Sequence, residues 1–199
     1  MKKIIVGIAA LAVAGIGAGI GIAQTQGSSA NANSASSFSA LSSSGLSSAV
    51  PSTQLSMLSD LAGSAQASQA KQLFVGSGNL KGYSISATQN GSGGVCVDGS
   101  YIGGCFDQFP KNGVIYRTAM NTDGAVTSSS KQLISGVVSD RVKSLSAQIG
   151  DQHVPITIQN GAFVYLASAP GVWVDQLVVA YADGSTSNIP ISDPNRPTS

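Results

Sequence analysis

The sequence predicts a mainly β protein: an antiparallel β-sandwich of the immunoglobulin-like kind or a small barrel, preceded by an apolar N-terminal helix and a disordered linker. From residue 74 to 191, short runs of alternating apolar residues are separated by Asn-Gly, Asp-Gly and related turn signals, among them Asp98-Gly99, Asp123-Gly124 and Asp183-Gly184. Such pairs suit tight hairpins because both central residues of a type I′ turn need positive φ. Only 10% of the residues are charged, and none of the nine acidic residues is Glu, which disfavours long solvent-facing helices.

Residues 1–23 form an apolar leader. Lys2 and Lys3 are followed by twenty residues without a charged side chain. The basic start and the small residues Gly21-Ile22-Ala23 predict a signal peptide that is cut before Gln24. The run also reaches the roughly 20 residues that span a bilayer, so an N-terminal membrane anchor stays open. Both alternatives place the rest of the chain outside the cytoplasm.

Residues 24–51 are nearly all Ser, Ala, Asn, Gln and Gly, which predicts a disordered linker that serves as a tether or a spacer. Residues 52–73 form a short helical segment. Leu55, Leu58 and Leu61 recur there at helical spacing, and the spacing predicts a helix near 53–62.

The β-rich domain is predicted at 74–191, with a frayed tail at 192–199 that contains two prolines. Pro155 and Pro190 cannot donate to a ladder, so their strands are expected at sheet edges. A hairpin is expected at Gly150-Asp151, joining two runs of alternating residues. The candidate strand positions are Tyr83, Ile85, Ala87, Val114, Tyr116, Thr118, Leu145, Ala147, Ile149, Val154, Ile156, Ile158, Phe163, Tyr165, Leu177, Val179, Tyr181, Ile189 and Ile191.

The two cysteines, Cys96 and Cys105, flank a Gly-rich segment. An even pair in an exported chain predicts a disulfide that closes a hairpin tip. The alternatives are a redox pair or half of a metal site. Redox dithiols favour Cys-x-x-Cys spacing, and zinc takes four ligands, so the disulfide is the favoured interpretation.

The residues offer little for catalysis. His153 is the single histidine, stands next to a predicted turn and is interpreted as a surface residue, and no Gly-x-Ser-x-Gly motif occurs. An Asp pair of the glycosidase kind is an alternative, but most Asp residues stand in turn contexts. No catalytic, cofactor-binding or metal-binding residue is predicted. Without Lys2 and Lys3 the chain has one more acidic than basic residue and no basic cluster, so no nucleic-acid partner is expected.

Two stretches, SGGVCVDGSYIGGC and ISGVVSDRVKSLSAQIGDQHVPITIQNGAFVY, carry a resemblance. They are similar to uncharacterised exported bacterial proteins with a leader, a Ser-rich spacer, a small Cys-pair hairpin and a C-terminal β-domain. The resemblance rests on residues 136–142, 150–152, 154–158 and 160–163. It implies a secreted β-rich domain without a known activity.

The expected function is therefore a structural or binding role at the cell envelope, without catalysis or a cofactor. The chain would be secreted or anchored in the membrane through residues 1–23 alone, with an unknown envelope or extracellular partner. Two alternatives stay open: an exported hydrolase that uses an Asp pair, and an anchored accessory subunit of an envelope complex.

Overall fold

A computed structural model of the chain describes residues 38–121, 129–193 and 196. The apolar leader at 1–23, the predicted N-terminal helix, the first part of the linker and the Asp123-Gly124 turn signal lie outside these residues. In the described part the prediction of a mainly β, antiparallel fold is confirmed, because twelve strands form three four-stranded antiparallel sheets.

The described helices are α1 (Ser52–Ala62) and α2 (Ser64–Ala67), with short 3-10 helices at Ser39–Ser42 and Gly78–Leu80. In chain order the strands are β1 (Lys71–Val75), β2 (Ser84–Gln89), β3 (Val95–Gly99), β4 (Ile102–Phe106), β5 (Val114–Asn121), β6 (Lys131–Val138), β7 (Val142–Ile149), β8 (Gln152–Ile156), β9 (Ile158–Gln159), β10 (Ala162–Leu166), β11 (Gln176–Tyr181) and β12 (Thr186–Pro190).

The sheets form a sandwich of three layers. The first sheet has the strand order β1-β2-β3-β4, the central sheet β5-β6-β10-β9 and the last sheet β12-β11-β7-β8. The small barrel expected as an alternative is wrong, since none of these sheets closes on itself. An immunoglobulin-like sandwich has two sheets, whereas the described residues form three.

Both faces of the central sheet are buried. Ile134 and Phe163 face a core shared with the last sheet, and Leu133 and Ala162 face a core shared with the first sheet. Successive side chains of a strand point to opposite faces, so a strand between two cores is buried at every position and mainly apolar. The runs Leu-Ile-Ser-Gly-Val-Val in β6 and Ala-Phe-Val-Tyr in β10 are mainly apolar, and the buried hydroxyl of Ser135 donates to the Ser100 carbonyl.

Helix α1 covers the outer face of the first sheet, and its span confirms the helix expected near 53–62. Leu58 is fully buried in a small cluster with Cys96 and Ala67. The buried Gln54 accepts a hydrogen bond from Ser86 Oγ at 2.6 Å, and its amide nitrogen lies 3.0 Å from Ser84 Oγ. The helix is thus docked on the domain by apolar contacts and by an amide that has its partners.

Packing begins earlier in the chain than the boundary expected at residue 74. The Phe38 ring lies 5.5 Å from the Phe109 ring, and the Ser39 N–H donates to the Asp140 carboxylate at 2.8 Å. Val50 is buried beside α1. Residues 38–51 therefore differ from the disordered linker expected for 24–51, because the few apolar side chains of this Ser-rich stretch contact the sheets.

Candidate binding groove

The chain changes sheets at Thr157, and this change opens a groove. Strand β8 pairs with β7 in the last sheet, where Ile156 stands opposite Leu145. Strand β9 pairs with β10 in the central sheet, where Ile158 stands opposite Phe163. The sequence pattern at Val154, Ile156 and Ile158 predicts one continuous strand, whereas the structure divides it between two sheets. Because β9 has two residues, its ladder with β10 ends after two pairs.

The second half of β10 has one free edge. The Gly161 carbonyl accepts from the Val138 N–H, and the Ala167 N–H donates to the Gln132 carbonyl. The odd-numbered residues of this strand therefore direct their backbone groups toward β6. Backbone groups alternate between the two edges of a strand. The N–H and C=O groups of Val164 and Leu166 therefore point away from β6. The register of β9 leads to Thr157 opposite the buried Val164, and beyond that position no strand of the described residues pairs with the edge. We call residues 165–166 on this side the open edge of β10.

The open edge forms one wall of a groove of about 460 Å³. Side chains of β8 form the opposite wall, and the short helix Gly78–Leu80 closes one end. The described residues that line it are Asn79, Leu80, Ile149, Gln152, Val154, Pro155, Ile156, Thr157, Val164, Tyr165, Leu166, Ser168 and Val172. None of these lining residues carries a formal charge at neutral pH. Lys131 is close, since its Nζ donates to the carbonyl oxygen of Ser168 at 2.9 Å.

The edges of the last sheet are blocked, in contrast to the open edge of β10. Pro155 lies in edge strand β8 and Pro190 in edge strand β12, which confirms the placement predicted from the prolines. The Gln148 carbonyl accepts from the Asp175 N–H, so the backbone groups of Gln148 point toward β11 and away from β8. His153 stands opposite Gln148, and Pro155 lies two residues further along β8. By the same alternation, the Pro155 nitrogen points outward, away from β7. An outward proline offers no donor to an added strand.

The predicted disulfide between Cys96 and Cys105 is confirmed, and it joins directly opposed residues of β3 and β4. Cys96 is fully buried and Cys105 is exposed. The Cys105 sulfur lies 3.5 Å from the carbonyl oxygen of Leu61, at the end of α1. Both described cysteines are joined in this bond, so neither offers a free thiol to a metal ion.

The tip of the same hairpin differs from the turn expected at Asp98-Gly99. The two turn residues are Ser100 and Tyr101, with φ of 38° and 68°. Positive φ is unusual for residues other than Gly, and Ser100 is held there because its Oγ accepts from the Ser84 N–H at 2.7 Å and donates to the Ser84 carbonyl at 2.8 Å. Sequence reasoning missed this turn because neither residue is a typical turn former.

The aspartates considered for a catalytic pair are held by separate local contacts. Burial raises the pKa of Asp98, a half-buried residue of β3. The Gly150 N–H, assisted by Arg196, lowers the pKa of Asp175, and the Ser185 hydroxyl lowers the pKa of Asp183. Among the described lining residues, the groove contains no Asp, and a second cavity of about 330 Å³ contains Asp140 alone.

The remaining candidates also stand apart. His153 is exposed in β8, as expected of a surface residue. The described residues contain no group of three His, Cys, Asp or Glu side chains placed to hold a metal ion. In the same part of the chain, no helix has the length and apolar character that crossing a membrane requires.

Comparison with known proteins found no match among protein-family models, curated proteins or solved structures. The groove is therefore interpreted from its own geometry. The missed residues are Thr157 and Leu166. Their backbone groups define the site, and the pattern of side chains along a strand does not report which edge is paired.

Proposed function

We propose that the chain is an exported or membrane-anchored extracytoplasmic protein whose β-domain binds a partner at the cell envelope and has no catalytic activity. The single observation that supports a binding role most strongly is the open edge of β10 inside an uncharged groove. Unpaired strand edges bind other chains, and folded proteins usually cover or block them. Pro155 and Pro190 block the edges of β8 and β12, whereas β10 has no proline at its open edge.

Two features support the extracytoplasmic location. The leader has a basic start, an apolar run and small residues at its end. The disulfide between Cys96 and Cys105 is compatible with an oxidising compartment, where such bonds persist. Whether the leader is cleaved or retained as an anchor is decided by the intact mass of the native protein, since cleavage before Gln24 removes residues 1–23.

The alternative of an exported hydrolase receives less support. An Asp pair for glycoside hydrolysis needs carboxyl groups about 5–10 Å apart across a substrate site. The lining of the groove offers none, and the described cavities that contain an aspartate contain one each. We therefore favour binding over hydrolysis. An accessory subunit of an envelope complex would be one form of the binding role.

The experiment uses the full chain in its own host cells. A photo-reactive phenylalanine replaces Thr157 beside the groove, and a matched variant carries it at the exposed Asn188 of β12. A membrane-impermeant lysine label and alkylation with and without reductant report the compartment. We expect surface labelling, no alkylatable thiol before reduction, and a cross-linked product from position 157 that is absent from position 188. Cytoplasmic protein with two free thiols, or equal cross-linking at both positions, would overturn the proposal.

A further inference from the structure

We propose that Asn90 is an acceptor for N-linked glycosylation, in which its side-chain amide nitrogen takes a saccharide from a lipid-linked saccharide phosphate. This modification goes beyond the binding role proposed above. It rests on the proposed extracytoplasmic location, because acceptor asparagines of this kind lie in surface loops of exported chains.

The acceptor motif occurs at one place in the chain. Asn90-Gly91-Ser92 matches the pattern Asn-x-Ser/Thr in which x is not Pro. Of the nine asparagines, Asn90 alone is followed two residues later by Ser or Thr. Asn112 and Asn160 also precede Gly, but they lack that hydroxyl. A match of three residues arises easily in a Ser-rich chain, so the structure around Asn90 has to support it.

The turn between β2 and β3 presents Asn90 with open space around it. Asn90 is half-buried, whereas Gly91, Ser92 and Gly93 are exposed. A Cβ atom built at Gly93 would meet no heavy atom within 4 Å, and one built at Gly91 would meet only Gln66 Nε2, at 4.0 Å. The surface of this turn therefore has room for a bulky saccharide.

The Asn90 side chain is held in a defined orientation. Its Oδ1 accepts from the Gly94 N–H at 2.6 Å and from the Ser92 N–H at 3.1 Å, and Ser92 Oγ lies 2.9 Å from the same oxygen. Hydrogen bonds to an amide oxygen draw electron density from the amide nitrogen, so a proton on that nitrogen is removed more easily. The Ser92 hydroxyl is thus in contact with the amide that would react.

The transfer is a substitution at the anomeric carbon of the sugar. A bond forms between Asn90 Nδ2 and that carbon, while the bond from the carbon to the phosphate oxygen breaks. The lipid phosphate leaves with the electron pair, and one of the two Nδ2 protons is lost to a base. No atom is oxidised or reduced. The lipid-linked donor and the transferase come from the host cell.

The folded turn can keep its hydrogen bonds after the transfer. Asn90 Nδ2 donates to Asp107 Oδ1 at 3.2 Å, and a glycosylated amide still has one N–H and its carbonyl oxygen. The Asn160 turn is less suitable. Asn160 Nδ2 donates to the Leu73 carbonyl at 3.0 Å, and a Cβ atom at Gly161 would lie 2.6 Å from the Phe38 ring.

A glycan on Asn90 would leave the groove free. Strand β2 begins at Ser84, near the short helix Gly78–Leu80 that closes one end of the groove. Asn90 follows the other end of β2, about 20 Å away along the strand. There the turn lies beside Phe38, the first described residue, since Gly93 and Phe38 line one small cavity. The glycan would therefore cover the place where the chain enters the domain.

The test begins with the full chain purified from its own host cells. Mass spectrometry of its peptides should show sugar on the peptide that contains Asn90 and none on Asn112 or Asn160. Electron-transfer fragmentation assigns the sugar to Asn90 or to the neighbouring Ser92. The membrane-impermeant label described above reports the compartment of the same preparation.

Three variants isolate the motif. Asn90→Gln removes the acceptor, Ser92→Ala removes the hydroxyl but keeps Asn90, and Ser92→Thr keeps a hydroxyl at the same position. We expect the glycan to be lost in the first two variants and retained in Ser92→Thr. Circular dichroism and an intact disulfide check that each variant folds. If Ser92→Ala does not fold, the native protein and Ser92→Thr still decide whether Asn90 is modified.

A sugar-free Asn90 in protein that carries the impermeant label would overturn the glycosylation and leave the proposed binding role in place. A sugar on Ser92 in place of Asn90, or full occupancy of Asn90 in Ser92→Ala, would also overturn it. Unlabelled protein in the cytoplasm would overturn both proposals. A missing cross-link from position 157 with Asn90 glycosylated would overturn the binding role alone.

Discussion

Cys96 and Cys105 stand directly opposite each other across β3 and β4, and their disulfide lies on the face of the first sheet that α1 covers. Cys96 packs with Leu58 of the helix, and the Cys105 sulfur lies 3.5 Å from the Leu61 carbonyl. The bond therefore links the two strands of the hairpin covalently, and α1 packs against it.

Replacing both cysteines by alanine should lower the free energy of unfolding by about 2–3 kcal/mol, the cost expected when a short loop is no longer closed in the unfolded chain. Denaturant unfolding of Cys96→Ala/Cys105→Ala against the oxidised protein measures this difference. Reductant should destabilise the native protein by a similar amount and leave the variant unchanged. An equal response of both proteins to reductant would contradict the assignment.

Helix α1 should contribute to the stability of the whole β-domain. Leu58 is fully buried against the first sheet, whereas Met57, its neighbour in the helix, is 50% exposed. Leu58→Ala should therefore cost about 2–5 kcal/mol of unfolding free energy. Met57→Ala should change it by about 0.5 kcal/mol or less. Urea unfolding of the two variants makes the comparison, and similar small losses would show that the helix is only loosely attached.

Gly136 should not tolerate a side chain. A Cβ atom built there would lie 2.3 Å from the Ile115 carbonyl oxygen and 2.7 Å from the Phe163 ring. Gly136→Ala should thus force β5, β6 and β10 apart, at a cost of about 1–3 kcal/mol or more. Gly103→Ala is the matched control, because its Cβ would meet only Asp98 Oδ1, at 3.6 Å. Thermal unfolding should separate the two, and equal melting temperatures would refute the close contact.

Stability should fall in acid partly through Asp175. The Gly150 N–H donates to its carboxylate at 2.7 Å, and Arg196 lies 2.8 Å from the other oxygen, so its pKa in the folded protein is lowered. Its stabilising effect is present above the unfolded pKa of about 3.9 and is lost as pH falls through the folded pKa. Asp175→Asn should therefore flatten the decline of unfolding free energy below about pH 4.

The control for this titration is Asp60→Asn, which removes an exposed carboxylate from α1. The two variants lose the same formal charge, so a general charge effect would change both profiles equally. If the unfolding free energy of Asp175→Asn fell more steeply in acid than that of the native protein, the assigned contacts would be contradicted. Chemical unfolding from pH 2 to 7 provides both profiles.

Much of the local structure was predictable because it depends on neighbours in the chain. The spacing of Leu55, Leu58 and Leu61 predicts α1, and alternation with turn signals predicts the hairpins at Gly150-Asp151 and Asp183-Gly184. Gly150 and Gly184 both have positive φ there. Each of these features follows from the backbone preferences of a few consecutive residues.

The sequence by itself determined the β class, the disulfide and the edge positions of Pro155 and Pro190, since a missing N–H excludes a central strand wherever that strand is paired. Only the tertiary structure decided that there are three sheets and that the chain leaves the central sheet at Thr157. Side-chain alternation is the same whether Ile156 pairs with β7 in the last sheet or with β10 in the central sheet, so it does not report that the edge of β10 stays open at Leu166.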